Sequence, residues 1–195
     1  MERDSNRKNI DLPTKSEIYH EKQSRLLCAM HALNNFFQND HPFSKSELDR
    51  ICERLTPGSF INPHRNFLGL GNYDVNVLIA AFQSRNLETI WMDRRKSPNC
   101  LVLQEIEGFI LNVPITWKIG AFSIPYIRQR HWVAVKKITG QYYLLDSKAA
   151  EPTFIGNEDS LRKCLQENLQ RDDTNILLIV KQDVAEKSSW FKSPD

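Results

Sequence analysis

A long apolar run is absent from the sequence. The longest clear one covers residues 176–180, whereas a membrane-spanning helix needs about 20 consecutive apolar residues. We therefore expect no transmembrane segment. Residues 1–17 also lack the apolar stretch of a secretory signal, so the expected compartment is the reducing cytosol.

An excess of charge of either sign is absent as well. The 26 Lys and Arg residues and the 24 Asp and Glu residues leave a formal net charge of only +2. A protein that binds nucleic acid through electrostatics usually carries a strongly basic surface. The charge balance therefore gives no reason to expect nucleic acid as a partner.

Cysteine is scarce and widely spaced, at Cys28, Cys52, Cys100 and Cys164. No CxxC pair occurs, and Cys28 with His31 has no matching second pair that would complete a zinc site. A chain of this length without a secretory signal is also a poor candidate for a disulfide framework. We expect four thiols, no metal and no cofactor.

Internal repeats and Gly/Ser-rich linkers are missing too, so one domain is the simplest organisation for 195 residues. The polar segment 1–17 is expected to be a disordered tail. The folded domain is expected to span 18–184. Residues 185–195 are expected to be a loose tail, although Trp190 and Phe191 could dock on the domain.

Helical patterns come first in the chain and strand patterns follow. Helices are predicted within 23–38, after the capping box of Ser44 and Glu47, from Asp74, and over 159–170. Strands are predicted at 87–92, 109–113, 131–138, 141–147 and 176–180. This order predicts an α+β fold with N-terminal helices packed on a mostly antiparallel sheet.

Cys28 is the candidate nucleophile because it lies near the start of the first predicted helix. A helix N-terminus and a nearby imidazolium both favour the thiolate, which is the reactive form of cysteine. Most cysteines are nevertheless plain core residues, and Cys52 and Cys164 fit that description. Cys100 follows a turn, but nothing near it in the sequence would activate it.

His131 is the candidate base, at the start of a predicted strand from which it could face a helix terminus across a cleft. His31 shares a helix side with Cys28, but a base at that spacing leaves little room for a substrate. His20, His41 and His64 lie on the entering segment or in loops. A histidine at the start of a strand is more often structural than catalytic, so this argument alone does not decide the role.

Asp146 is the candidate residue to orient the imidazole, and its place depends on one hairpin. If Thr139 and Gly140 form a two-residue turn, His131 lies diagonally from Asp146 on the same face, at roughly 7–8 Å between backbones. A three-residue loop would turn Asp146 to the other face. Thr disfavours positive φ, so this rival register stays open.

Gln23 is the candidate oxyanion donor, together with the backbone N–H of Cys28. Its side-chain amide could reach the same point from five residues earlier in the chain. A solvated Gln on an entering turn is the plainer interpretation of this position.

Four segments taken together resemble the Josephin family of deubiquitinases: IYHEKQSRLLCAMHALNNFFQ, GNYDVNVLIAAF, RQRHWVAV and YYLLDSK. The resemblance covers nearly all of residues 18–183 and implies a papain-like fold. It implies Gln23 as the oxyanion residue, Cys28 as the nucleophile and His131 as the base. The third catalytic position falls on Asp146, where the short stand-alone members also have Asp and the long ataxin member has Asn.

The resemblance also implies what the protein acts on. The expected function is a deubiquitinating thiol protease that hydrolyses the bond between the ubiquitin C-terminal glycine and a lysine of ubiquitin or of a target protein. The expected partners are ubiquitin, polyubiquitin chains and ubiquitinated proteins, and Trp132 is expected to line the substrate cleft. Two alternatives stay open: a ubiquitin-binding module with low or latent activity, and a scaffold whose Cys and His are core residues.

Overall fold

The structure is a computed structural model that describes residues 18–24, 27–38, 40, 42–58, 73–115, 118–119, 122–123 and 129–192. The predicted N-terminal tail, 1–17, lies outside the described residues. Five helices are described: α1 Cys28–Phe37, α2 Lys45–Leu55, α3 Val75–Gln83, α4 Glu158–Leu169 and α5 Gln182–Lys187. Within these ranges no helix is long and apolar enough to cross a membrane.

The sheet contains six strands in the order β1-β8-β2-β5-β6-β7, and all its neighbours are antiparallel. A separate pair is formed by β3 and β4. The strands are β1 Leu87–Trp91, β2 Ile106–Ile115, β3 Lys118–Ile119, β4 Phe122–Ser123, β5 Gln129–Ile138, β6 Gln141–Leu145, β7 Thr153–Gly156 and β8 Asn175–Lys181. The predicted α+β fold with an antiparallel sheet is confirmed.

Both faces of this sheet are buried, and alternate residues of β5 show why. Trp132 and Ala134 belong to a core shared with α1, α2 and α3. Val133 and Val135 belong to a second core shared with α4. Successive side chains of a strand point to opposite faces, so the apolar run in β5 supplies both cores. The sheet is therefore a middle layer between two groups of helices.

Gly108 in β2 allows α1 to lie close against the sheet. A Cβ at this position would come within 2.6 Å of the Phe36 ring and 2.7 Å of the Val135 carbonyl oxygen. The Phe36 side chain is almost fully buried at this contact. The close approach fixes the distance of α1, and hence of its N-terminal residue Cys28, from the sheet.

The hairpin between β5 and β6 has the two-residue turn. Ile138 pairs with Gln141 and Ala134 with Leu145. Thr139 and Gly140 both have positive φ, at 46° and 83°, as a type I′ turn requires. The register that brings Asp146 to the His131 side is thus confirmed, although it places Thr in a conformation that its branched side chain disfavours.

The segment after residue 184 makes hydrogen bonds and packing contacts with the domain. The Val102 N–H donates to the Trp190 carbonyl at 2.9 Å and the Lys192 N–H to the Cys100 carbonyl at 2.8 Å. Trp190 and Phe191 pack against the second core. Two aromatic side chains thus hold the segment against the domain, as the sequence left open for Trp190 and Phe191, and the loose tail over 185–195 stays a prediction.

Candidate active site

Cys28 is the first residue of α1, and its side chain is 5% exposed. Leu27, at the N-cap, provides no side-chain hydrogen bond to the first turn. The first N–H groups of a helix have no partner within the helix and carry a partial positive charge. The start of the helix therefore directs backbone donors toward anything bound at Cys28.

His131 and Asp146 are in direct contact. The Nε2 atom of His131 lies 2.6 Å from the Oδ1 atom of Asp146, and the His131 side chain is almost fully buried. The same Oδ1 accepts the Lys148 N–H at 2.9 Å. Asp146 follows directly after β6, so the hairpin register and the Lys148 contact together hold the carboxylate in front of the imidazole.

The electrostatics of this pair favour charge on both partners. Burial alone would lower the pKa of His131, but hydrogen bonds with Asp146 and with the Cys28 thiol outweigh it, and the pKa is raised. Burial alone would raise the pKa of Asp146, but the hydrogen bonds from His131 and from the Lys148 backbone hold it below its usual value. Asp146 is therefore a carboxylate that stabilises an imidazolium.

The tautomer of neutral His131 follows from these contacts. Because Nε2 faces the Asp146 carboxylate, Nε2 carries the proton, and Nδ1 keeps its lone pair. The Nδ1 atom is buried and has no hydrogen-bond partner among the described residues. Its lone pair is therefore the one that can accept the proton of the Cys28 thiol, which also contributes to the raised His131 pKa. His131 can take a proton from the thiol and later return it.

Gln23 lies on the segment that runs past this group. Its backbone N–H donates to the Ser147 carbonyl at 2.7 Å, directly after Asp146 in the chain. The side-chain Oε1 atom of Gln23 is buried. Gln23 also lines an open cavity of about 470 Å³ with Lys22 and residues 147–150. The structure brings Gln23 to the Asp146 loop, beside the other candidate residues.

The structure gives His31 contacts that rule it out as the base for Cys28. Its Nε2 atom accepts the Ser24 N–H at 3.0 Å, and its Nδ1 atom lies 3.1 Å from Glu21 Oε1. The lone pair of Nε2 is therefore taken up by Ser24, and Nδ1 faces a carboxylate. His20 contacts the Ala149 carbonyl at 3.2 Å, whereas His41 and His64 lie outside the described residues.

The other three cysteines fit the packing or surface roles that the sequence suggested. Cys52 is fully buried in the first core. Burial raises the pKa of Cys164 on α4, which disfavours its thiolate. Cys100 is partly exposed and belongs to the short helical turn Pro98–Cys100.

Trp132 is a core residue, 7% exposed. Its indole N–H donates to the Tyr73 carbonyl at 3.1 Å, and the ring packs among the residues of the first core. These contacts anchor the strand position next to His131. The expected role of Trp132 in lining the substrate cleft stays a prediction.

A row of polar side chains on α1 was not recognised as functional from the sequence. His31 and Asn35 are spaced i, i+4 on one side of the helix and Gln38 is its C-cap residue; we call the three the α1 polar row. All three contact the backbone of residues 19–24. Polar residues at helical spacing on an otherwise apolar, buried helix were the signal that could have identified them.

Comparison with known proteins shows the family of this chain. The Josephin family profile matches residues 23–180. The chain belongs to the Josephin family of deubiquitinases. It is 48% identical over 172 residues to Josephin-like protein of Drosophila melanogaster, covering 88% of this chain and 78% of that protein. It is 45% identical over 181 residues to human Josephin-2, covering 93% and 95%.

More distant matches share less of their length with this Josephin chain. Ataxin-3 of Gallus gallus is 24% identical over 169 residues, which is 83% of this chain and 45% of that protein. The crystal structure of Trichinella spiralis UCH37 bound to ubiquitin vinyl methyl ester aligns with a TM-score of 0.38 at 11% identity, covering 53% of this chain and 76% of that one. At that score the likeness is too slight to bear on function.

Proposed function

We propose that this Josephin protein is a thiol protease that hydrolyses the bond between the C-terminal glycine of ubiquitin and a lysine of ubiquitin or of a target protein. The observation that carries the proposal is the contact of His131 with Asp146 at 2.6 Å, with the Cys28 thiol, at the start of α1, near enough to contribute to the raised pKa of His131. Nucleophile, base and orienting group thus form one connected set.

In the first half of the reaction, His131 Nδ1 takes the thiol proton of Cys28. The thiolate attacks the glycine carbonyl carbon, and the carbonyl electron pair moves onto the oxygen. Asp146 stabilises the imidazolium that has formed, as its lowered pKa indicates. The Cys28 N–H and the Gln23 side-chain amide are the donors for the oxyanion.

In the second half, the oxyanion collapses and the lysine nitrogen leaves with the proton from His131. This gives a thioester between Cys28 and the ubiquitin glycine. Water, deprotonated by His131, then attacks the thioester and releases ubiquitin with a free carboxylate and Cys28 as thiol. The proposed substrates are polyubiquitin chains and ubiquitinated proteins. The four free thiols suit the reducing cytosol as the compartment.

The second candidate is a ubiquitin-binding module with latent activity. One observation favours it: both Cys28 and His131 are almost fully buried, at 5% and 2% exposure. A substrate must reach the thiol, so such a site needs an opening motion before it reacts. The same three groups would then be present, but hydrolysis would be slow in the absence of an activator.

The two candidates are separated by hydrolysis of a fluorogenic ubiquitin C-terminal amide and of ubiquitin dimers. We expect wild type to release the fluorophore and monomeric ubiquitin, and Cys28→Ala to release neither. Cys164→Ala is the matched control because it removes a partly buried thiol elsewhere and should keep wild-type activity. Folded wild type that binds ubiquitin without hydrolysing either substrate would support the binding module and contradict the protease.

A further inference from the structure

The α1 polar row pairs with the backbone of the segment that carries Gln23. The Tyr19 N–H donates to Gln38 Oε1 and the Gln38 amide donates to the Tyr19 carbonyl, both at 3.1 Å. In the same way the Glu21 N–H donates to Asn35 Oδ1 at 2.6 Å, and the Asn35 amide donates to the Glu21 carbonyl at 3.3 Å. Each amide side chain thus makes with one residue of the segment the pair of hydrogen bonds that a neighbouring strand would make.

His31 completes this row at the end nearest to Cys28. A backbone N–H can only donate, so the bond from Ser24 N–H to His31 Nε2 at 3.0 Å requires a lone pair on Nε2. The ring proton of neutral His31 therefore sits on Nδ1, which lies 3.1 Å from Glu21 Oε1. His31 thus connects to both Glu21 and Ser24, the residues on either side of the Lys22–Gln23 pair.

The contact with His31 contributes to a lowered pKa of the Glu21 carboxyl. Burial alone would raise the pKa of Glu21, but hydrogen bonds from His31 and Asn34, with a smaller one from Tyr19, hold it below its usual value. Glu21 is therefore a carboxylate at neutral pH, and the Nδ1–H tautomer of His31 is the one that it favours.

Gln23 is consequently held from three directions. Its own N–H is bound to the Ser147 carbonyl at 2.7 Å, and the peptide groups of Glu21 and Ser24 are bound to Asn35 and His31. We infer that His31 is a positioning residue that fixes the backbone around Gln23 and so directs the Gln23 amide toward the carbonyl attacked by Cys28. This inference rests on the proposed function.

Substitution of His31 should affect the chemical step and not substrate binding, because His31 acts through Gln23. A donor displaced by about 1 Å can lower a rate by about 10²-fold even when the substrate binds as before. We therefore expect His31→Leu, which removes the acceptor for Ser24, to lower kcat by about tenfold to a hundredfold and to leave KM for the ubiquitin amide near wild type. His31→Gln, whose amide oxygen can accept the Ser24 N–H, should recover most of kcat.

The decisive experiment is a double-mutant cycle with Gln23→Ala on the fluorogenic ubiquitin amide. If His31 acts by placing Gln23, His31→Leu costs little further in a Gln23→Ala protein. The inference is overturned if the double variant loses the product of the two single-variant losses in kcat, or if His31→Leu raises only KM. If His31→Leu does not fold, His31→Gln replaces it in the cycle with Gln23→Ala. We then expect a small loss of kcat from His31→Gln in the wild-type background and no loss in the Gln23→Ala background.

A failure of the proposed function gives a different result. Wild type without any Cys28-dependent hydrolysis would overturn the protease and the positioning role together. Active wild type with independent losses overturns the positioning role alone. Ring ¹⁵N spectra of the same wild-type protein add a check that does not use activity: because Nε2 accepts the Ser24 N–H, we expect an unprotonated Nε2 on His31, and a protonated Nε2 would contradict the inference.

Discussion

The surroundings of His31 and of His131 look alike at first and differ in one contact. Each imidazole is 2% exposed, and each faces a carboxylate, with Glu21 at 3.1 Å from His31 and Asp146 at 2.6 Å from His131. The second nitrogen of His31 accepts the Ser24 N–H. The second nitrogen of His131 receives no such bond from the described residues. A buried neutral histidine whose lone pair is left for a proton can be a base, and one whose lone pair accepts a backbone N–H is a structural link.

The largest expected effect tests this distinction directly. His131→Gln removes the base, and we expect the rate of ubiquitin amide hydrolysis to fall by at least about 10²-fold. His31→Gln should keep most of the rate because its amide can still accept the Ser24 N–H. Hydrolysis rates of the two variants, with thermal unfolding to show that both are folded, measure the contrast. Similar losses of rate in the two variants would contradict the assignment of His131 as base and His31 as structural link.

A smaller effect concerns the carboxylate. Asp146→Asn replaces a charge-assisted hydrogen bond with a neutral one, which should lower the free energy of unfolding by about 1 kcal/mol at neutral pH. The same change should lower the pKa of His131, because burial remains while the main cause of the raised pKa is lost. An NMR titration of the His131 ring measures this shift. Glu21→Gln is the matched control and should leave the His131 titration unchanged.

The sign of the pH dependence follows from the two shifts. The raised pKa of His131 contributes stability that is fully present below its ordinary pKa of 6.5 and is lost as pH rises through the higher folded value. The lowered pKa of Asp146 contributes stability above its ordinary 3.8 that is lost as pH falls through the lower folded value. Asp146→Asn should flatten the unfolding free energy in both windows, and an unchanged pH profile would contradict the pairing.

The smallest expected effect concerns the β5–β6 hairpin, which sets the register of His131 and Asp146. Thr139 has a φ of 46°, a conformation that Asn tolerates better than Thr. Thr139→Asn should therefore raise the free energy of unfolding by about 0.5 kcal/mol without changing the hydrolysis rate. Chemical denaturation measures the gain. A loss of activity would show that the turn affects the site by more than its register.

The parts of the fold that are fixed locally could be predicted from the sequence. The capping box of Ser44 and Glu47 is present as predicted, and the helix predicted from Asp74 begins at Val75 with Asp74 as its N-cap, because the bonds involved join residues two or three apart. The contact of His131 with Asp146 was also within reach, since a two-residue turn sets the pairing of both strands. Whether that turn forms was left open by the sequence, because Thr139 argues against it.

The parts that depend on distant contacts could not be predicted. The interpretation of His31 as a link requires the position of Ser24 and Glu21 against α1, and no periodicity shows how an entering segment lies on a helix. The docking of Trp190 and Phe191 depends on residues near Leu101, about half the chain away. The short strand β7 carries an exposed Phe154, so its apolar pattern was too weak to be recognised.

Cys28 is the proposed nucleophile among four thiols. The most direct measurement is to react wild type with ubiquitin carrying a C-terminal electrophile and to locate the adduct by peptide mass spectrometry. We predict one adduct, at Cys28, with Cys52, Cys100 and Cys164 unmodified. An adduct at another cysteine, or a folded protein that forms none, would contradict it.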